Sequence, residues 1–140
     1  MIEKKAVGKT KDAGFQIGVR RVVNFNQELV WDFLFSEIGL QIWLDKTEID
    51  KLAIGNNFTF PSGIEGKVTV FKPNSHIRMN WKKKDWERPS RLQIRVIGKG
   101  SKTVIAFHQE LLKDAAQREE MKIYWQKIIE QLINKIIASH

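Results

Sequence analysis

No cysteine occurs among the 140 residues, so disulfide staples, thiolate zinc sites, iron–sulfur clusters and a cysteine nucleophile are excluded by counting. Histidine is nearly as scarce: His76, His108 and His140 stand far apart, without the spacing by which imidazoles share a metal. Long apolar runs are missing as well. No segment approaches the roughly 20 residues of a membrane span, and Met1-Ile2-Glu3-Lys4-Lys5 puts charge where a secretory leader has its apolar stretch. A soluble, cytoplasmic protein is expected. There is no internal repeat, low-complexity segment or linker, which at this length leaves one domain, and no catalytic motif is present.

What is there is enough apolar side chain for a continuous core, 42% of residues against 29% charged. Lys and Arg number 24 against 16 Asp and Glu, a formal charge of +8. Residues 1–14, with Lys4, Lys5, Lys9 and Lys11 and little to bury, are expected to be a flexible tail, and residues 15–140 the domain.

Phe15, Ile17 and Val19 alternate with Gln16, Gly18 and Arg20, the period-2 pattern of a half-buried strand. Asn26 then stands as an N-cap ahead of Leu29-Val30-Trp31-Asp32-Phe33-Leu34, with Glu28 at the positive end of the helix dipole. Ser36-Glu37 repeats that chemistry before Ile38, Leu40, Ile42, Trp43 and Leu44. Gly39 lowers the helix preference there by about 1 kcal/mol relative to Ala, so two short helices or one broken helix are expected.

The middle of the chain predicts strand after strand, with assignable faces. Ile64, Gly66, Val68 and Val70 fall on one side, opposed by Glu65, Lys67 and Thr69. Ile77, Met79 and Trp81 oppose His76, Arg78 and Asn80, and Leu92, Ile94 and Val96 oppose Arg91, Gln93 and Arg95. One dry and one wet face per strand describes an antiparallel sheet covered on one side. Turns at Pro61-Ser62-Gly63, Lys72-Pro73-Asn74-Ser75, Glu87-Arg88-Pro89-Ser90 and Gly98-Lys99-Gly100-Ser101 make a meander the simplest connection.

A last strand, Thr103 to Leu112, leads into a long helix capped near Asp114. Its apolar stripe is Met121, Tyr124, Trp125, Ile128, Ile129, Leu132, Ile133, Ile136 and Ile137. At roughly 1.5–3 kcal/mol for each buried side chain, docking outweighs propensity, and the dry sheet face is the only surface large enough to receive it. The fold class is therefore α+β: a curved antiparallel sheet around one C-terminal helix, with the short helices closing an end.

That order of elements resembles the helix-grip fold of the START-like (SRPBCC) superfamily. The branch it is most similar to is the activator of Hsp90 ATPase homologue-like family. The residues that carry the resemblance are Val30-Trp31, Trp43-Leu44, Ile54-Gly55 before Phe58, Gly66-Lys67-Val68, Pro73, Trp81, Thr103, and Tyr124-Trp125 followed by Ile128 and Leu132. It covers roughly residues 15 to 137. The resemblance implies a cavity between sheet and long helix, used across the superfamily for lipids, polyketides, hormones and other apolar molecules.

The candidate ligand-binding set is Trp43, Met79, Trp81, Leu92, Ile94, Phe107, Gln109, Tyr124, Trp125 and Ile128, apolar with Gln109 and Tyr124 as the polar members. The alternative for each is plain core packing. Strand parity puts His108 on the wet face, and Asp45, Glu48 and Asp50 read as a solvated acidic loop. No catalytic residue, metal or cofactor is expected.

Lys67, Arg78, Arg91 and Arg95 share the wet face, and Lys82-Lys83-Lys84-Asp85-Trp86-Glu87-Arg88 is a basic loop with an aromatic in it. A basic groove with an exposed aromatic can hold single-stranded nucleic acid, but Asp85 and Glu87 interrupt the run, so nucleic acid is disfavoured. The expected function is carriage or sensing of a small apolar molecule. The alternative is a protein-interaction module of the chaperone-partner type, using the outer face and the 82–91 loop toward an acidic protein. An enzyme ranks last.

Overall fold

A computed structural model describes Lys9–Thr10 and residues 14–140. Local signals set the helices. Asn26 Oδ1 accepts from the Leu29 N–H at 2.9 Å and opens α1, Gln27–Leu34. Ser36 Oγ accepts from the Gly39 N–H at 3.1 Å and opens α2, Glu37–Trp43. Asp114 Oδ1 accepts from the Gln117 N–H at 2.8 Å and opens α3, Ala115–Ser139. Each oxygen satisfies a donor that the first helical turn leaves free.

The strands are β1 (Lys9–Thr10), β2 (Gly14–Val23), β3 (Asn57–Thr59), β4 (Glu65–Lys72), β5 (His76–Lys82), β6 (Ser90–Lys99) and β7 (Lys102–Leu112). They form one sheet in the order β1-β2-β7-β6-β5-β4-β3. β3 to β7 are the meander; β2 returns beside β7, pairing Val19 with Phe107. The expected tail falls largely outside the described residues, and within it Lys9 and Thr10 pair with Phe15 and Gly14. A short 3-10 turn at Ile49–Leu52 precedes β3 and buries Leu52.

The inner face, with Ile17, Val19, Val68, Ile77, Met79, Leu92, Ile94 and Phe107, receives α3 through Met121, Trp125, Ile128, Ile129, Leu132 and Ile136, all buried. Two expectations are corrected. Ile137 is 60% exposed, because the row that it ends, with half-buried Ile133, runs off the edge of the contact. Val70 does not share the face of Val68: a bulge between them sets Val70 opposite Arg78 and turns Phe71 inward, where its ring meets Trp31 at 5.8 Å and Phe35 at 5.6 Å. One extra residue in a strand reverses every later side chain.

Gly39 has a role beyond helix preference. A Cβ there would stand 2.0 Å from Phe33 O and 2.9 Å from Leu34 O, so α1 and α2 meet backbone to backbone at this point. Gly66 does the same in the sheet, where a Cβ would be 1.8 Å from Asn80 O.

Candidate functional site

The sheet brings the strand members of the expected set, Met79, Trp81, Leu92, Ile94, Phe107 and Gln109, together in register. Met79 faces Leu92, Leu92 faces Gln109, and Ile94 faces Phe107. Trp81 closes the row at the end of β5, and α3 lays Trp125 and Ile128 across it. The Trp125 ring lies 5.5 Å from Trp81 and 5.1 Å from Phe107. Nine of the ten are buried; Tyr124 is half-buried at the rim, 4.8 Å from the Trp125 ring. Trp43 sits at the end of α2, where its Nε1 donates to Leu34 O at 2.8 Å and ties the two short helices together.

A hydrogen-bond chain runs through this cluster. Trp125 Nε1 donates to Gln109 Oε1 at 2.7 Å, Gln109 Nε2 donates to Ser90 Oγ at 2.8 Å, and Ser90 Oγ donates to Trp81 O at 2.7 Å. It links α3 to β7, β6 and β5 with every member buried. Such a chain is strong only when complete, and Gln109 is thereby committed to structure. Ser90, assigned to a turn from sequence, is the member missed there; its inward parity with Leu92 and Ile94 was the available signal.

Trp81 is the exception. Its Nε1 is the one buried side-chain nitrogen or oxygen among the described residues with no hydrogen-bond partner. Its ring is surrounded by Trp86 at 5.4 Å, Trp125 at 5.5 Å and Tyr124 at 6.0 Å. Trp86, expected as an exposed aromatic, is half-buried edge-on against Trp81, because the 82–89 loop folds back over the sheet end. The rim is charged: Lys83 Nζ stands 4.6 Å above the Tyr124 ring and 3.4 Å from Glu120 Oε2. The 60–64 loop touches the same segment, since a Cβ on Gly63, at φ +95°, would lie 2.6 Å from Lys84 Cβ.

Burial, with the Asp45 carboxylate as a lesser cause, pushes the Tyr124 phenol above its ordinary value of 10. Asp45, expected in a merely solvated acidic loop, accepts from Ser62 Oγ at 2.6 Å. The Tyr124 hydroxyl makes no hydrogen bond to the described residues.

The molecular surface carries open grooves elsewhere. One of about 600 Å³ lies between α1, Ser36, Ile38 and His140; another of about 530 Å³ between Asn57, Thr59, Lys67 and Asn80; a third of about 390 Å³ beside Ile49, Ile54 and Phe71. None of the three is lined by the ten expected residues. His108 is on the outer face as parity required, with Nε2 3.0 Å from Gln16 Oε1. Among the described residues no group of three or more His, Asp or Glu could hold a metal, and no helix is long and apolar enough to cross a membrane.

Residues 24–135, from the approach to α1 to within the last turns of α3, match the family described as Activator of Hsp90 ATPase homolog 1-like protein. The chain belongs to that family. No curated protein matches it in sequence.

Solved structures share the fold at low identity. DynU16, from the dynemicin biosynthetic locus, superposes with a TM-score of 0.76 at 12% identity over 89% of this chain and 48% of its own. CalU16 from Micromonospora echinospora gives 0.72 at 16% identity over 86% of this chain and 73% of its own. PFC0360w, an HSP90 activator from Plasmodium falciparum, gives 0.72 at 17% identity over 88% of this chain and 96% of its own. This member of the Hsp90 ATPase activator homolog 1-like family spans about half the length of DynU16. The likenesses establish the helix-grip fold.

Proposed function

We propose that this chain binds a small apolar molecule bearing one hydrogen-bond acceptor, between the sheet and α3 beneath the 82–89 loop, as a carrier or sensor. The observation that carries this reading is the unpartnered Trp81 N–H, buried among three aromatic rings. Leaving such a donor without an acceptor costs about 1–3 kcal/mol, and native interiors rarely keep one without a use.

Displacing the Trp86 segment would uncover the Trp81 ring edge. An apolar ligand seated there gains about 25 cal/mol for each Å² it buries, and its acceptor takes the Trp81 N–H. Tyr124, uncharged at neutral pH and with its hydroxyl unbonded to the described residues, supplies a second donor at the rim. Binding rather than catalysis follows because Gln109, the other polar member, is held in structural bonds at both ends of its amide.

The test follows the five Trp indole N–H signals by ¹⁵N–¹H NMR while adding an acetyl-substituted naphthalene or its ethyl-substituted counterpart. The two differ chiefly in the acceptor. The expected result is saturable movement at Trp81, Trp86 and Trp125, with the ketone bound about fivefold or more tightly through the added hydrogen bond. Movement at none of these three, or equal affinities with the Trp81 signal unmoved, would overturn the proposal.

A further inference from the structure

The outer face of the sheet is a second surface, on the opposite side from the ligand reading and independent of it. Register resolves its cations into rows. Lys72 pairs with His76, His76 with Arg95, Arg95 with Ala106, and Ala106 with Arg20, so one row crosses five strands without a carboxylate. Two residues along, the next row is apolar: Ile97 and Val22 both pair with Val104, and Val22 is 60% exposed. Two residues further, Lys99 and Lys102 stand directly opposite each other. Like charges so placed repel across the ladder.

The carboxylates of this face are used at its other end, where Glu110 pairs with Arg91 and Glu65 with Lys82, both at 3.2 Å. Among the described residues, Arg20, Lys72, Arg95, Lys99 and Lys102 take part in no ion pair, and Arg78 is bonded to the neutral Gln93 amide at 2.8 Å. Burial, then the charges of Arg95, Lys72 and Arg78, hold the His76 imidazolium below its ordinary value of 6.5, a local sign that this patch is positive and uncompensated.

We infer that this face docks an extended acidic segment of a partner protein with the pattern acid, any residue, aliphatic, any residue, acid, laid along β6 and β7. The spacing supports it. Residues two apart in any extended chain present side chains to one side about 6.8 Å apart, the pitch of the Arg95, Ile97 and Lys99 rows. The aliphatic residue meets Ile97 and Val22, and the flanking acids meet Arg95 on one side and the opposed Lys99 and Lys102 on the other. The apolar middle row favours a peptide over nucleic acid, which would want a series of aromatic rings to stack on; the only ring in these rows is the His76 imidazole, and Trp86 lies outside them, packed against Trp81.

The experiment titrates the full chain by ¹⁵N–¹H NMR and fluorescence anisotropy with three probes. These are an acetylated peptide centred on Glu-Thr-Val-Thr-Glu, a peptide of the same composition with its two acids adjacent, and a short oligothymidylate. The patterned peptide should shift the amides of Arg95, Ile97, Lys99, Lys102 and Val104 and bind more tightly than the rearranged one. The double variant Arg95→Gln with Lys99→Gln should weaken it about fivefold or more, and added salt should weaken it further. Ile97→Ser should weaken the patterned peptide while leaving the rearranged one unchanged. Equal binding of both peptides would reduce the face to unspecific charge attraction, tighter binding of the oligothymidylate would make it a nucleic-acid surface, and no shifts at millimolar peptide would leave it without a partner of this kind. Each of those results overturns the inference.

Discussion

Replacing Trp81 and Trp125 in turn by Phe separates a buried donor that has a partner from one that has none. Both indoles are buried and their rings lie 5.5 Å apart, so the cost of lost volume is similar. A phenyl ring leaves roughly 40 Å³ unfilled, about 1 kcal/mol at ~24 cal/mol per Å³. The hydrogen-bond contributions then have opposite signs. Trp125→Phe strips Gln109 Oε1 of its 2.7 Å donor and costs about 1–3 kcal/mol more, for a total of about 2–4 kcal/mol. Trp81→Phe removes a donor that has no acceptor and recovers about the same 1–3 kcal/mol, ending between neutral and about 2 kcal/mol more stable. In a chain of this length the gap of about 2 kcal/mol or more corresponds to at least about 6 °C in Tm. Urea denaturation monitored by circular dichroism avoids reading the altered tryptophans themselves. Equal losses for the two variants would refute the reasoning, because they would mean that the faces of Trp86, Tyr124 and Trp125 already satisfy the Trp81 N–H.

Gly39→Ala should destabilise the protein by about 1–3 kcal/mol or more through overpacking, although helix preference alone would favour Ala, since the new methyl has Phe33 O 2.0 Å away; chemical denaturation gives the sign directly. Tyr124 is the only tyrosine in the chain, so the ultraviolet absorbance of its phenolate reports it alone, and its titration midpoint should lie above 10 and fall in Asp45→Asn. Because its folded-state pKa is raised, its stabilising contribution is complete below about 10 and is lost as pH rises through the folded value; Tyr124→Phe should flatten that alkaline loss of stability.

The elements legible in advance were those whose signals are local. Asn26, Ser36 and Asp114 cap their helices wherever the helices later pack, because the bond joins groups three residues apart. Alternation placed Ile77, Met79, Trp81, Leu92, Ile94, Phe107 and Gln109 on the inner face correctly, because a regular strand preserves parity. It failed at Val70, where a bulge breaks parity, and at Ile137, where the length of the contact rather than the helical period sets exposure. The candidate cluster was legible as a set of residues. That Gln109 would be bound on both sides, Ser90 enlisted and Trp81 left without an acceptor was not, since each depends on distances between strands far apart in sequence.

Charge shows the same division. Lys67, Arg78, Arg91 and Arg95 formed one basic face when read by alternation alone, but register neutralises Arg91 with Glu110 and sets Arg95 in line with Lys72 and Arg20, four strands distant from each other along the row. Composition, capping and periodicity thus determined by themselves that this chain forms a sheet around one long helix, because backbone hydrogen bonding and burial of one face act over a few residues. Which donors are satisfied, which cations are paired and which aromatic covers which was decided only by the tertiary structure, because those energies depend on atoms that strand register and the docking of α3 bring within a few ångströms.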